Sequence, residues 1–222
     1  MSYQKTIPIK AIIFDLDGTL LNTLDDLADS MNRVLLRLGF PAHPVDAYRY
    51  YVGEGMEILA RRALPAEGRD EETVRHCVAE MKREYGAHWQ DKTCLYPGID
   101  DMLRALSARG ISLNILSNKP DDLTRLTVAA FLSAHTFDQV AGAKEEYPRK
   151  PHPAGALHIA GSLRLSSDQF LYLGDTNTDM QTANNSGMFA LGALWGFRTE
   201  AELRESGAQA LLAHPLEILR HL

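Results

Sequence analysis

Asp15 and Asp17 stand one residue apart where an apolar run ends, in residues 9–23, IKAIIFDLDGTLLNT. A strand that needed only a turn could end in a single Asp-Gly. Three more polar clusters follow in order: Ser117, Asn118 and Lys119 after LNIL; Lys150 in PRKPHP; and Gly174, Asp175, Thr176 and Asp179 after FLYL. The inventory of carboxylates, lysines and hydroxyls suits one task, holding a phosphoryl group together with a hard divalent cation. Magnesium prefers oxygen ligands and keeps several waters, so two carboxylates and a carbonyl suffice. Carboxylates crowded to ~5 Å repel by about 3 kcal/mol per pair at an effective dielectric of ~20. A phosphate dianion adds to that repulsion. A cation and a lysine must offset it, and Lys150 is the candidate lysine. Without them the cluster would protonate.

Each cluster alone has an ordinary use. Asp-Gly at a strand end is usually a turn, and SNKP is usually a capped helix start. Lys150 before Pro151 would be a solvated lysine, and GDTNTD a turn with acids serving the helix dipole. Asp175-x-Asn177-x-Asp179 begins like a calcium loop, but Met180 sits where that loop needs Gly and Ser186 where it needs Glu. The stretch VGEGME lacks the third glycine of a dinucleotide loop. Chance gives one such cluster easily and all four, in order at strand ends, rarely.

The elements that must position these residues are legible as alternation. Residues 9–14 read as a buried strand, after which strand signals stop for some eighty residues. Residues 22–89 read as helix after helix, with Leu24, Leu27, Met31, Val34, Leu35 and Leu38 on one stripe and Thr23 as N-cap. Strands and helices then alternate: a helix before Gly110, a strand in ISLNILSN, a helix opened by Pro120, and a short strand near 137–141. A helix after Pro153, a strand in QFLYLGD, a helix ending at Gly187 and a strand in MFALGALW complete the series. This predicts a doubly wound α/β core, a Rossmann-like parallel sheet with helices on both faces, interrupted after strand one by a small all-helical insert. The boundaries predicted are residues 1–21 and 92–222 for the core and 22–91 for the insert. Ligands of such sheets bind outside the carboxyl ends of the strands, where the clusters fall.

Composition narrows the partners. A net charge of −6 argues against a nucleic-acid surface. No apolar run reaches roughly 18 residues, so no membrane span is expected. The first ten residues, MSYQKTIPIK, lack the apolar centre of a signal peptide. Cys77 and Cys94 have no metal or redox spacing and fit a reducing, cytoplasmic setting.

The ordered clusters resemble the haloacid dehalogenase superfamily of phosphohydrolases. FDLDGTL is similar to its first motif, LSNK to its second, Lys150 to its third and LGDTNTD to its fourth. Ser117 stands where Thr is commoner and Thr176 where Ser is commoner; both keep a hydroxyl. The helical insert resembles the small cap of the subclass that includes phosphoglycolate phosphatases, with YYVGEGMEILARRAL and RKPHPAGAL as the matching stretches.

The resemblance implies roles. Asp15 would be the nucleophile that forms an aspartyl-phosphate. Asp17 would protonate the leaving alkoxide and then act as base on the hydrolytic water. Asp15, Asp175 and the backbone carbonyl of Asp17 would hold Mg2+, with Asp179 acting from outside that set on metal waters or Lys150. Ser117 and the amides of Leu16 and Asn118 would hold phosphate oxygens, and Lys150 would neutralise the transition state. Gly53 and Gly55 would belong to a cap loop that closes over the substrate, with Arg49 or Arg62 assisting a substrate carboxylate. The implied activity is a magnesium-dependent phosphatase of a small phosphorylated metabolite, 2-phosphoglycolate first, in a monomer or homodimer. Pyrophosphatases and sugar phosphatases share much of the pattern. A phosphomutase would follow Asp-x-Asp-Gly with Val, a dehalogenase would need neither Asp17 nor Asp175, and a signalling receiver would carry its Asp on a middle strand.

Overall fold

The run Ala11–Phe14 (β1) is buried at every residue. An unbroken apolar strand is what a parallel sheet covered on both faces demands. In the computed structural model, which describes residues 8–145 and 148–222, seven further strands follow. They are β2 (Leu21–Asn22), β3 (Cys94–Leu95), β4 (Ser112–Pro120), β5 (Gln139–Ala143), β6 (Phe170–Gly174), β7 (Phe189–Ala193) and β8 (Ala210–Leu212). Five of them join β1 in one six-stranded parallel sheet in the order β5-β4-β1-β6-β7-β8. The chain runs outward from β1 through β4 to β5, then returns to the other side of β1. That reversal opens a crevice at the carboxyl end of β1, the usual place for a ligand.

β2 and β3 pair antiparallel, Leu21 opposite Leu95, and form a short ribbon where the chain leaves and re-enters the sheet region. Between them lie α1 (Leu24–Arg37), α2 (Tyr48–Tyr51), α3 (Met56–Ala63) and α4 (Glu71–His88). Their apolar stripes close on one another in a cluster with Met31, Val34, Leu35, Leu59, Ala60, Cys77, Met81 and Tyr85. Phe197, from beyond β7, is buried in the same cluster and joins it to the sheet region. Thr23 does not cap α1 as expected. Its hydroxyl makes no cap bond, and the first-turn amide of Leu24 turns to Asn22 Oδ1 at 3.4 Å.

Asp26, in the first turn of α1, is buried and ties the helical region to its exit. Its carboxylate accepts from the amides of Lys92 at 2.9 and 3.0 Å and of Thr93 at 2.8 Å, and from Thr93 Oγ1 at 2.8 Å. Asp26→Ala would leave these donors without their charged acceptor, at a cost of about 3 kcal/mol. Denaturant unfolding should show that loss, with a smaller one for Asp26→Asn, whose oxygen still accepts. An alanine variant as stable as the parent would contradict the tie.

The remaining helices cover the sheet. α5 (Ile99–Ser107) and α6 (Asp121–Phe131) pack on the face that holds Ile12 and Phe14. α7 (Ala154–Leu163), α8 (Asn177–Asn185) and α9 (Glu200–Glu205) pack on the face that holds Ala11 and Ile13. The period of two along β1 thus feeds both cores. The ribbon strands and β8 went unread in the sequence because two or three residues carry no periodicity.

Candidate active site

Phe14, the last residue of β1, pairs with Ile115 on one side and Leu173 on the other. The polar residues beyond these strands therefore converge. Asp15 continues the ladder, its amide donating to Leu173 O at 2.9 Å. Its Oδ1 accepts from the Leu16 amide at 2.7 Å and lies 2.9 Å from Lys150 Nζ. Lys150 Nζ also donates to Asp179 Oδ1 at 2.7 Å. Asp179 is fixed by the start of α8, its Oδ2 accepting from Thr176 N at 3.1 Å and Oγ1 at 2.7 Å. Asp175 accepts from Thr19 Oγ1 and from the Phe197 amide, each at 2.8 Å. Gly18 has to be glycine here: its φ is +91°, and a Cβ would stand 2.3 Å from Asp175 Oδ2.

Carboxylate oxygens of Asp15, Asp175 and Asp179 lie within 4.8 Å of one another, and all three residues are buried. Burial, and then the charge of Asp179, hold the Asp15 carboxyl well above the usual carboxylate range against the opposing pull of Lys150. Burial and Asp179 push Asp175 up to about 7. Three carboxylates facing one ammonium lack positive charge, and the donors are all oxygen. That set fits a hard divalent cation.

Asp17 turns out of this group. Its oxygens lie 2.9 and 3.2 Å from Lys119 Nζ, and the same ammonium donates to Tyr85 Oη at 2.9 Å. Asn118 is a fastener: its side chain accepts from the Lys150 amide at 3.0 Å and donates to Gly53 O at 3.0 Å and Lys150 O at 3.2 Å. Ser117 Oγ, at the same strand end, accepts from the Lys119 amide at 3.2 Å.

A small cavity of about 60 Å³ opens over Asp15 and Asp17, lined also by Gly53, Gly55, Ser117, Asn118, Lys119 and Tyr85 and roofed by Leu27, Val52, Met56 and Leu59. The loop carrying Gly53 and Gly55 is docked onto the sheet region. Buried Arg198 donates to the carbonyls of Arg49 and Val52, and Arg49 donates back to Gly196 O at 2.9 Å. Gly55 has φ +92°, and a Cβ there would meet Arg149 Nη1 at 2.8 Å. Neither Arg49 nor Arg62 lines the cavity. Arg62 pairs with Glu54 and donates to Tyr50 O at 3.1 Å.

The structure thus brings Asp15, Leu16, Asp17, Ser117, Asn118, Lys150, Asp175 and Asp179 to one place, with Gly53 and Gly55 across from them. It adds Tyr85 and Arg198, which sequence reading did not single out, and gives contacts to Lys119, which it left without a role. Tyr85 lies on the buried stripe of α4 with Val74, Cys77 and Met81; no local pattern marks it.

A family model described as haloacid dehalogenase-like hydrolase matches residues 12–193. The chain is 32% identical over 203 residues to a phosphoglycolate phosphatase of Pasteurella multocida, covering 89% of this chain and 91% of that one. It is 33% identical over 199 residues to one of Pseudomonas putida, covering 88% and 72%. A crystal structure from Haemophilus somnus, described as a predicted phosphoglycolate phosphatase, superposes with a TM-score of 0.89 at 29% identity, covering 96% of this chain and 97% of that one. Agreement over nearly the whole length, with the four polar clusters gathered at the strand ends, leads to one conclusion: the chain belongs to the haloacid dehalogenase-like hydrolases and is a phosphatase.

Proposed function

We propose that this phosphatase is a magnesium-dependent phosphoglycolate phosphatase working through an aspartyl-phosphate on Asp15. The observation that carries the substrate reading is the cavity beside Asp15 and Asp17, about 60 Å³ under an apolar roof, which has room for a small leaving group. The names of the relatives point the same way. On this reading residues 22–91 are the cap, and 1–21 with 92–222 the catalytic core.

An Asp15 oxygen attacks phosphorus, and the bond from phosphorus to the ester oxygen breaks. Asp17 gives its proton to the departing alkoxide, then takes one from the water that attacks the aspartyl-phosphate. The Leu16 and Asn118 amides and the Ser117 hydroxyl hold phosphoryl oxygens. Lys150, held between Asp15 and Asp179, balances the charge that gathers on them. The carboxylates of Asp15 and Asp175 and the Asp17 carbonyl would hold Mg2+, with Asp179 supporting them through Lys150. Bound there, the ion supplies charge neutralisation between the carboxylates and the phosphoryl oxygens. The docked loop with Gly53 and Gly55 keeps bulk water from the intermediate.

Phosphate release with phosphoglycolate, pyrophosphate and glucose 6-phosphate tests the substrate. Phosphoglycolate should show the highest kcat/KM, and a higher value for either of the others would overturn the reading. Excess chelator should stop turnover and magnesium restore it. Asp175→Ala should raise the magnesium requirement without loss of fold. Full activity in excess chelator would contradict the metal.

A further inference from the structure

We propose that Lys119, steadied by Tyr85, recognises the leaving group by a negative charge on the carbon next to the ester oxygen. This rests on the phosphoglycolate reading above and names the residue that would enforce it. Lys119 is the one cationic side chain among the described residues lining the cavity. The roof is apolar. Arg49 and Arg62 face elsewhere, and the Lys150 ammonium is committed to Asp15 and Asp179 on the phosphoryl side.

Position follows from the chemistry of Asp17. A group that protonates the ester oxygen must lie within hydrogen-bond reach of it, about 2.6–3.2 Å. Lys119 Nζ stands 2.9 Å from the same carboxylate. That puts it within reach of whatever the ester oxygen's carbon bears, and in phosphoglycolate that is a carboxylate. An ammonium has three donors. One can serve the paired Asp17 oxygens and one Tyr85, which leaves one for the ligand. Tyr85 suits the post. It is buried, and burial pushes its hydroxyl up to about 12, so it holds the ammonium as a neutral phenol and does not cancel its charge. Its ring lies under the same ammonium, 4.9 Å from the centroid.

Lys119 could instead serve only to orient Asp17. Steady-state kinetics on phosphoglycolate, ethyl phosphate and O-phosphoethanolamine separate the two roles, because all three need Asp17 and differ in the charge beyond the ester oxygen. The unaltered enzyme should favour phosphoglycolate over ethyl phosphate by roughly 10–100-fold in kcat/KM, the range of a hydrogen bond to a charged group. Ethyl phosphate should in turn exceed O-phosphoethanolamine, whose ammonium Lys119 repels. Lys119→Gln should collapse the first preference, and Lys119→Arg should keep most of it. If Lys119→Gln lowers all three rates in parallel with the preference intact, Lys119 serves Asp17 alone; the inference falls and the substrate reading stands. If the unaltered enzyme shows no preference for phosphoglycolate over ethyl phosphate, the substrate reading falls and this inference with it. The comparison of ethyl phosphate with O-phosphoethanolamine needs no variant, and equal rates there overturn the inference even if Lys119→Gln does not fold.

Discussion

Asp15→Asn is expected to abolish phosphate release from every substrate, a loss of roughly 10⁴-fold or more, in a protein that stays folded. The carboxamide keeps the size and the contact to the Leu16 amide but presents no carboxylate oxygen to phosphorus. Stability should hold or rise. Burial and Asp179 raise the folded-state pKa of Asp15 well above its ordinary value, so the native fold disfavours the charged form. A neutral side chain removes that penalty, and with it the repulsion toward Asp175 and Asp179. The sign follows from linkage: a raised carboxyl pKa means the native state binds the proton more tightly than the unfolded chain does. Thermal unfolding of the metal-free variant at neutral pH should therefore occur at or above the temperature of the metal-free parent. Loss of fold on this substitution would mean that Lys150 needs the Asp15 charge more than the cluster suffers from it. Activity within ten-fold of the parent would remove Asp15 from the chemistry.

Asp17→Asn is expected to lower turnover by roughly 10²–10⁴-fold, the usual worth of a positioned acid or base. The backbone carbonyl is unchanged, so metal affinity should be unchanged. Asn oxygen can still accept from Lys119, so the contact to Tyr85 and α4 should survive. The split between steps is the sharper expectation. With p-nitrophenyl phosphate, whose leaving group needs little protonation, the first step should remain fast and the second, which needs a base, should slow. A burst of nitrophenol followed by a slow steady rate is the predicted trace. With phosphoglycolate both steps need Asp17 and no burst should appear. Near-parental rates on both substrates would contradict the acid and base role.

The core of the site was legible because each piece is local. Asp15, Asp17, Ser117, Lys150, Asp175 and Asp179 sit just past strands or in short distinctive runs; the sheet order brings the strand-end residues together, and Asn118 fastens Lys150 beside them. Asp179, to which the resemblance gave an auxiliary role, lies three residues into a helix start, where it meets Thr176 and Lys150. What joins the helical region to the sheet was not legible. Tyr85 meets Lys119 across 34 residues, Asn118 meets Gly53 across 65, and Arg198 meets Val52 across 146. Each of those residues has a common use on its own, and only tertiary packing pairs them. The same reason explains Arg49 and Arg62. Their position beside the glycine loop suggested a carboxylate ligand, but α2 turns Arg49 toward Gly196 and α3 turns Arg62 toward Glu54 and Tyr50. Lys119, the cationic side chain among the described residues that line the cavity, comes from the sheet side instead.

The most direct test of the account is to catch the phosphoryl group on the protein. Asp17→Asn would be mixed with p-nitrophenyl phosphate and magnesium, quenched in acid within the burst, digested, and its peptides weighed. The peptide holding Asp15 should gain the mass of one phosphoryl group, with fragmentation assigning it to that side chain, and the signal should disappear when Asp15 is also changed to Asn. A burst with no phosphorylated peptide, or with the phosphoryl group on any other residue, would contradict the mechanism.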